Sequence, residues 1–489
     1  MELNSVKEVG GVMETSGVRE TDVLIVGAGP TGLALATDLA RRGVRTVVVE
    51  KTDRLFRGSR GKGLQPRTLE VFDDLGVIDA VLAASGPIPV QMIWKDGERQ
   101  GEHLMVDPVE STPAAPYAGL PRILPQWRTQ EILYERLTEL GGGVSFDTAL
   151  TSLTQDASGV TATLSTGATV RAAYAVAADG GRSTVRAALS ITMTGESVDP
   201  SSMLVADVRI PALDRLNWHV FPVDEGFLVL CPLPGSQDFQ LAARFPDGER
   251  PDLSPDAVRA LIAARTHLEA ADVTEVLWAS DFRPRAALAD RFRDGRIFLA
   301  GDAAHVHSPA GGQGLNTSIQ DAYNLGWKLG RVLRGGAPAA LLDSYEEERR
   351  PNAAEMLNLS TRVHRGEQRR GAATQQLGIG YRGGPLSEGA AGALESGDRA
   401  PDGPLDGGPL DSGRPDGGRL FDAFRGPHFT LLVVGTDAEL PPLDAGTVHV
   451  HRLDAYEPYG KGLFLVRPDG YIGWAGDDAT GLAGYLTRC

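Results

Sequence analysis

Residues 23–32 read VLIVGAGPTG and residues 45–50 read RTVVVE, and these two stretches decide the fold. The first opens with four apolar residues, which is typical of a buried strand, and its glycines predict a tight turn. Residues 31–42 have the spacing of an amphipathic helix, which Gly43 ends. A second apolar strand follows over residues 45–50. This order of strand, turn, helix and strand predicts a βαβ unit of a parallel sheet.

The turn of this unit carries the pattern G-x-G-x-x-G, formed by Gly27, Gly29, Pro30, Thr31 and Gly32. Alone the pattern is weak, but here it follows a strand, opens a helix and is answered by Glu50 at the end of the second strand. Such a turn brings a pyrophosphate against a helix N-terminus, and the acid accepts hydrogen bonds from a ribose. Because an acid repels a 2′-phosphate, FAD or NAD fits and NADP does not. A glycine turn without a ligand is the weaker alternative.

A second glycine-rich stretch, residues 296–316, reads RIFLAGDAAHVHSPAGGQGLN and leads into a helix predicted over about 314–334. Asp302 follows a strand, where its carboxylate is suited to a ribityl hydroxyl. Gly312 and Gly314 allow bare backbone to approach a planar ring. The helix N-terminus would place positive potential beside a reduced, anionic isoalloxazine. One FAD would therefore bridge both halves of the chain, unless this loop only connects strand and helix.

The composition excludes several classes of protein. The 489 residues carry 48 Lys and Arg against 64 Asp and Glu, a net charge of −16, which argues against nucleic acid as a partner. Two cysteines, Cys231 and Cys489, form neither a disulfide framework nor a thiolate zinc cluster. The longest charge-free apolar run near the start has 15 residues, 23–37, too short for a membrane span. Without a secretory signal either, a reducing, cytoplasmic location is expected.

At this point the sequence resembles the class A flavoprotein aromatic hydroxylases. The resemblance is carried by Gly27–Gly32, by Asp179-Gly180 with Arg182, and above all by residues 301–329, GDAAHVHSPAGGQGLNTSIQDAYNLGWKL. The stretches SGDRAPDGPL from Ser396 and LVRPDGYIGWAG ending at Gly476 resemble the thioredoxin-like C-terminal domain of the phenol hydroxylase and polyketide hydroxylase branch. That domain lacks a CxxC pair here, so thiol–disulfide chemistry is not expected of it.

The resemblance implies an α/β fold: a Rossmann-like FAD-binding domain with an inserted β-sheet substrate domain and a C-terminal thioredoxin-like domain. The domain boundaries expected are a discontinuous FAD-binding domain at 21–186 and 287–371 with substrate-domain strands within 88–118, a substrate domain at 187–286 and the thioredoxin-like domain at 419–489. Composition adds a disordered tail at 1–20 and, at 372–418, a linker or extended surface strap.

The resemblance also implies roles for single residues. Glu50 and Lys51 would lie at the adenosine ribose, Arg60 and Gln126 along the ribityl chain and the flavin edge, and Asp302 at the ribityl hydroxyls. Asp179, Gly180 and Arg182 would handle the pyrophosphates of FAD and of NAD(P)H. The isoalloxazine would be surrounded by Pro309, Gly312, Gly314, Leu315 and Asn316, and Gly301 is a further cofactor-binding residue. No catalytic side chain is certain, Arg60 is the one candidate, and no metal is expected.

The activity implied is that of an FAD-dependent monooxygenase. NAD(P)H reduces a non-covalently bound FAD, O2 adds to give a C4a-hydroperoxide, and a phenolic ring, such as that of an aromatic polyketide, is hydroxylated. Eight residues of the inserted domain are candidates for the substrate pocket, of which about half should face it: Trp218, Phe221, Phe227, Leu228, Leu230, Phe239, Leu241 and Arg283.

Other functions stay open. The same fold can support Baeyer–Villiger insertion or inactivation of an antibiotic, and a non-catalytic flavin-binding partner would carry similar motifs. A flavin halogenase is disfavoured, because none of the six tryptophans is followed two positions later by another. The sequence does not predict the substrate, the attacked carbon, the preferred nicotinamide or the oligomeric state.

Overall fold

The computed structural model describes residues 14–15, 18–199, 201–224, 226–405 and 418–489. Its α-helices, in chain order, are α1 Pro30–Arg41, α2 Pro66–Asp74, α3 Ile78–Ala84, α4 Gln126–Glu139, α5 Thr184–Ala188, α6 Pro255–Arg265, α7 Gly314–Arg334, α8 Ser344–His364, α9 Leu420–Phe424 and α10 Leu482–Leu486. Within these ranges, none of the helices is both long and apolar enough to cross a bilayer.

The strands of the first part of the chain are β1 Glu14–Thr15, β2 Val18–Val26, β3 Thr46–Val49, β4 Gly63–Leu64, β5 Gly86–Pro87, β6 Gln91–Lys95, β7 Glu98–His103, β8 Arg122–Ile123, β9 Val144–Ser145, β10 Leu150–Asp156, β11 Gly159–Leu164 and β12 Thr169–Ala177. Those of the middle part are β13 Met193–Ser197, β14 Met203–Arg209, β15 Trp218–Val223, β16 Gly226–Pro232, β17 Asp238–Arg244, β18 Glu275–Phe282, β19 Arg285–Ala289, β20 Arg293–Asp294, β21 Ile297–Leu299 and β22 His305–Val306. The last part adds β23 Ala390–Ala391, β24 Leu394–Glu395, β25 Phe429–Val434, β26 Val448–Leu453, β27 Gly462–Val466 and β28 Ile472–Gly476.

A parallel sheet forms the first structural unit. Strand β2 lies between β12 and β3, β9 continues the sheet beyond β3, and β21 adds along the end of β12, all in parallel. The apolar residues of β2, β3 and β21 are almost fully buried between helices, as the uninterrupted hydrophobic runs of a parallel sheet require. The predicted α/β class with a Rossmann-like domain is confirmed.

The second unit is a seven-stranded sheet in the order β18-β14-β17-β16-β15-β6-β7, inserted between parts of the first. Helix α6 covers one face, where Val258 and Ile262 are fully buried in a cluster with alternate residues of the strands. Ser254 accepts a hydrogen bond from the N–H of Ala257 and so caps this helix. The other face of the sheet, called the inner face below, is turned toward the first unit, because Asp207 of β14 accepts a hydrogen bond from the backbone of Ser59.

The third unit is a four-stranded sheet in the order β26-β25-β27-β28. Strands β25 and β26 are parallel, whereas β27 and β28 form an antiparallel hairpin on the other side of β25. This is the strand order of a thioredoxin-like sheet, although residues 435–447, which join β25 to β26, contain no helix. Cys489 is buried and free.

Two predictions from composition need correction. The tail expected at 1–20 is wrong for residues 18–20, because β2 begins at Val18 and continues the parallel pairing with β12; residues 1–13, 16 and 17 lie outside the described ranges. The linker expected at 372–418 is wrong for residues 372–405. Ile379 and Tyr381 in that segment pack against α8 and Tyr471, so this glycine-rich chain is a packed strap. Residues 406–417 lie outside the described ranges.

Helices α1 and α7 touch closely because glycines of α7 face polar side chains of α1. A Cβ on Gly326 would clash with the carboxylate of Asp38, and one on Gly330 would lie 2.6 Å from Cδ of Arg42. Asp38 is fully buried and bonded to Arg41 and Arg42, so it has no room to yield. The interhelical distance is therefore fixed by the absence of side chains.

We expect Gly326→Ala to destabilise the protein by about 1–3 kcal/mol, because the added methyl group overpacks this contact. The matched control is Gly484→Ala, in α10, where a Cβ meets nothing within 4 Å and alanine favours the helix. Thermal unfolding measures both. Equal midpoints for the two variants would contradict the role given to Gly326.

Candidate functional site

The turn between β2 and α1 is shaped by two close approaches. Gly27 has φ +106°, and a Cβ there would clash with the carbonyl oxygen of Ala178, while a Cβ on Gly32 would clash with the carbonyl of Gly27. A Cβ on Gly29, in contrast, would meet nothing within 4 Å, so space is open above the turn. Helix α1 begins at Pro30 and has no side-chain cap, which leaves its N-terminus facing that space.

Glu50 stands beside this turn, directly after β3. Its Oε2 accepts a hydrogen bond from the N–H of Ala28 at 2.9 Å, and its Oε1 accepts from the backbone N–H and the hydroxyl of Thr52 at 3.1 and 3.0 Å. The carboxylate is thus fixed at the rim of the open space, where a ribose would meet it. Lys51 is exposed next to it.

Asp179 and Gly180 follow β12 on the other side of the turn. Asp179 Oδ2 accepts hydrogen bonds from the N–H groups of Thr184 and Val185 at 2.7 and 3.3 Å, which holds the start of α5. Its Oδ1 is buried without a partner among the described residues. Gly180 has φ +82° with open space around it, and Arg182 is exposed.

The second glycine-rich stretch meets the first. A Cβ on Gly301 would lie 2.5 Å from Oγ1 of Thr31, so the two motifs touch. The N–H of Gly301 donates to Asp321 Oδ2 at 3.0 Å, and the same oxygen lies 2.5 Å from His305 Nε2. His307 Nε2 in turn lies 3.0 Å from His305 Nδ1. Both histidines therefore belong to the hydrogen-bonded support of this loop.

Asp302 follows Gly301 after β21 and is exposed. The surrounding protein nevertheless raises the pKa of its carboxyl by desolvation, opposed by the charges of His305 and Arg60.

Helix α7 begins at Gly314 and also lacks a side-chain cap. Asn316 in its first turn accepts a hydrogen bond from the N–H of Gln65 at 2.8 Å and donates to the carbonyls of Gly63 and Gly312 at 2.9 and 2.6 Å. Residues 61–65 are thereby tied to the helix N-terminus. The same segment carries Gly61, whose N–H donates to Gln126 Oε1 at 3.1 Å and which lies beside Leu315.

The structure therefore brings most of the predicted cofactor residues to one cleft. The exposed Pro309 lies on the loop that precedes α7. Helix α4 begins at Gln126, whose side chain accepts the hydrogen bond from Gly61. Two uncapped helix N-termini, an orphaned carboxylate oxygen and glycines open to space are the features that a dinucleotide with a flavin ring would fill.

The substrate-pocket candidates divide between the two faces of the inserted sheet. Trp218 and Phe227 have the register of the inner face, and Arg283 is exposed between β18 and β19. The other five pack in the cluster under α6 and are corrected here to core residues: Phe221, Leu228, Leu230, Phe239 and Leu241. Pairing explains the error, because adjacent strands set whole rows of residues on one face and the sequence does not show which row faces the cleft.

Sequence reasoning missed a group of contacts on the inner face. Asp207 Oδ2 accepts a hydrogen bond from the N–H of Ser59 at 2.9 Å, and Gln240 donates to the carbonyl of Ser59 and accepts from Lys62. Phe56 packs edge-on against Trp278, with ring centroids 5.2 Å apart. Residues 56–62, called the clamp loop below, are thus fixed to the inserted sheet. The available signal was polar Asp207 and Gln240 inside otherwise apolar strands.

Comparison with known proteins agrees with this site. The family described as FAD binding domain matches residues 20–360, and the family described as aromatic-ring hydroxylase, C-terminal, matches residues 395–489. A flavin-dependent monooxygenase of Mycobacteroides abscessus is 44% identical over 95% of this chain and 99% of its own. A 12-dehydrotetracycline 5-monooxygenase/anhydrotetracycline 6-monooxygenase of Streptomyces rimosus is 35% identical over 95% and 97% of the two chains. The crystal structure of aklavinone-11 hydroxylase with FAD and aklavinone superposes with a TM-score of 0.79 at 28% identity, covering 96% of this chain and 98% of the other.

We expect Asp302→Ala to weaken FAD binding about 10- to 100-fold, because a charged acceptor in the cleft is lost. Titration of the FAD-free protein, followed by flavin fluorescence, measures the affinity. Asp256→Ala, whose side chain is 97% exposed on α6, is the control. An Asp302→Ala affinity equal to that of the control would exclude Asp302 from the cofactor site.

A second prediction concerns pH. Burial raises the pKa of Asp207 to about 7, against hydrogen bonds from Ser59 and the charge of Lys62. The folded state therefore binds a proton that the unfolded chain releases near pH 4, and this group's contribution to stability falls as pH rises from about 4 to about 7, by up to about 4 kcal/mol. Asp207→Asn removes this dependence.

Urea unfolding at several pH values tests the prediction through the difference between wild type and variant. Asp207→Asn should match wild type near pH 4 and be the more stable protein near pH 8. Asp256→Asn should show a flat difference. A flat difference for Asp207→Asn as well would refute the prediction.

Proposed function

The chain belongs to the FAD-dependent monooxygenases that combine an FAD binding domain with an aromatic-ring hydroxylase C-terminal domain, and on that premise we propose that it hydroxylates an aromatic polyketide or a related phenolic compound. The observation that carries the proposal is the meeting of the two glycine-rich motifs at Gly301 and Thr31. Similarity over 95% of the chain to a tetracycline-type monooxygenase supports the class of substrate.

We propose that FAD lies along this cleft with its adenosine end at Glu50 and Lys51. The pyrophosphate would meet the N-terminus of α1, with Gly27, Gly29, Pro30, Thr31 and Gly32 at the turn and Asp179, Gly180 and Arg182 beside it. Asp302 and Gln126 would hold the ribityl chain. The isoalloxazine would rest against Gly301, Pro309, Gly312, Gly314, Leu315 and Asn316, with Arg60 at its edge.

Bound FAD supplies the acceptance of a hydride and the activation of O2 for transfer of one oxygen atom to a ring. The chain itself would orient the flavin and the substrate and supply the electrostatic potential around them. The uncapped N-terminus of α7 directs its positive end at the flavin and favours negative charge there. The clamp loop, anchored to the inserted sheet at Ser59, closes one side of the cleft and excludes water. Arg60 would hold the flavin edge and the substrate in register.

NAD(P)H as the transient reductant and O2 as co-substrate are part of the proposal. A second G-x-G-x-x-G occurs at Gly378, Gly380 and Gly383, but it neither follows a strand nor opens a helix, which supports transient binding of the nicotinamide without a domain of its own. Both cysteines are free and buried, and this supports a reducing, cytoplasmic location.

The test uses FAD-loaded protein with anhydrotetracycline as the probe substrate. Anaerobic mixing with NADPH and with NADH measures flavin reduction, and isotopically labelled O2 then reports oxygen transfer by mass spectrometry. We expect reduction by one or both nicotinamides and one labelled oxygen atom in the product. Bound FAD that neither nicotinamide reduces, with or without a phenolic ligand, would favour a non-catalytic flavin-binding protein.

Arg60→Met should retain FAD but yield about 10-fold less product per NAD(P)H consumed, because a cation that positions the flavin edge is lost. Its guanidinium lies 5.2 Å from the Phe56 ring centroid and makes no ion pair among the described residues. Arg250→Met, on an exposed loop, is the control. An unchanged ratio of product to NAD(P)H consumed in Arg60→Met would contradict the role proposed for Arg60.

A further inference from the structure

Lys62 occupies the space between the proposed flavin cradle and the inner face of the inserted sheet. Its carbonyl accepts a hydrogen bond from the N–H of Leu124 at 2.7 Å, and the next residue, Gly63, is bonded to Asn316 of α7. The Lys62 side chain extends the other way, where its ammonium donates to Gln240 and lies 4.4 Å from the centroid of the Trp218 ring. A substrate held between flavin and sheet would meet this ammonium.

Arg370 approaches the same place from the segment after α8. Its carbonyl accepts a hydrogen bond from the N–H of Asp107 at 3.0 Å, and its guanidinium contacts Met105 Sδ at 3.0 Å. Gln91 donates to the same sulfur at 3.7 Å and lies opposite Trp218 in the pairing of β6 with β15. A chain of contacts thus connects Arg370 to the Trp218 ring on which Lys62 rests.

Neither cation has a carboxylate partner within ion-pair distance in the described part of the chain. A thioether is a weak acceptor and an amide oxygen is neutral, so their contacts balance the positive charges of Lys62 and Arg370 only weakly. Cys231 and Asp207 are the groups whose negative charge would raise the pKa of Lys62, but neither forms an ion pair with it: Asp207 Oδ2 accepts from Ser59, and its Oδ1 is buried without a hydrogen-bond partner among the described residues. Burial lowers the pKa of both Lys62 and Arg370, and the charge of Arg370 lowers that of Lys62 further.

We propose that Lys62 and Arg370 form a subsite for an ionised oxygen of the substrate, a phenolate or an enolate conjugated to an aromatic ring. This inference rests on the proposed function, because it places the substrate between flavin and sheet. An indole ring and a thioether favour a delocalised, aromatic anion over a phosphate, which would need several N–H donors. The substrate's hydroxyl releases its proton to water on binding, and no bond between heavy atoms changes.

The experiment uses FAD-loaded protein and the dye alizarin, a dihydroxyanthraquinone whose visible absorbance moves to longer wavelength when a phenol ionises. Titration across pH gives the pKa of the bound dye, a readout independent of turnover. We expect a pKa at least about one unit below that of the free dye, because two cations stabilise the phenolate. Lys62→Met and Arg370→Met should each weaken binding of the anion about 10-fold and reduce the pKa shift, and the double variant should abolish it.

Two controls match these variants. Arg369→Met removes the neighbouring arginine, which is 76% exposed and paired with Asp107, and Lys95→Met removes an exposed lysine of the same sheet. Both should keep the wild-type shift. Thermal unfolding and FAD content of every variant exclude a folding defect as the cause of a lost shift.

An unshifted pKa in wild type, equal shifts in all variants, or no binding of the dye would each overturn the subsite. Reduction of the bound FAD by NAD(P)H, measured on the same protein, tests the proposed function separately. Reduction of the flavin without a shift in the pKa of the dye would support the proposed function and contradict the subsite. A shift in the pKa of the dye in a protein whose flavin is never reduced would support the anion subsite and contradict the proposed function.

Discussion

The contact between α1 and α7 is the constraint on which the rest of the site depends. Gly326 and Gly330 present bare backbone to Asp38 and Arg42, so the two helices lie closer than side chains would permit. Toward the helix starts, Gly301 lies between Thr31 of α1 and Ser318 of α7. Helix α1 starts shortly after β2, and α7 starts after the loop that follows β21, so this approach brings two uncapped N-termini together. A dinucleotide site that needs positive potential at both its pyrophosphate and its ring follows from this geometry.

A buried cluster of charges joins the C-terminal sheet to the same helix pair. Glu348 of α8 accepts from Lys328 of α7 at 2.7 Å and from Arg467 at 2.6 and 2.9 Å, and Arg467 also pairs with Asp469. The cations keep the pKa of Glu348 well below its usual range despite burial. Buried ion pairs add little net stability compared with apolar packing, but loss of one partner leaves the other charges buried without compensation. The cluster therefore fixes the position of the C-terminal sheet relative to α7 and α8, and the C-terminal unit supports both helices.

The sequence was sufficient for features that depend on local chemistry. The first βαβ unit and the bounds of α7 follow from periodicity and glycine placement. Features that depend on contacts between residues far apart in the sequence could not be predicted from it. Glycine-rich composition suggested a linker at 372–405, yet Tyr381 is fixed there by Arg349 at 3.0 Å, a partner 32 residues away. Alternation in β14 to β17 gave two equivalent faces, and only the position of α6 decides which one is core.

The clamp loop is the element that touches both the proposed flavin cradle and the inserted sheet. Its backbone at Ser59 is bonded on both sides, to Asp207 and to Gln240, while Gly58 approaches Trp278 so closely that a Cβ would lie 2.5 Å from its ring. Further along the chain from Ser59, Gln65 is bonded to Asn316 in the first turn of α7. A shift of the inserted sheet would therefore either break buried hydrogen bonds at Ser59 or carry the segment at the flavin edge with it. Since breaking them leaves polar groups unsatisfied, the second course costs less, and the clamp loop is expected to move together with the inserted sheet.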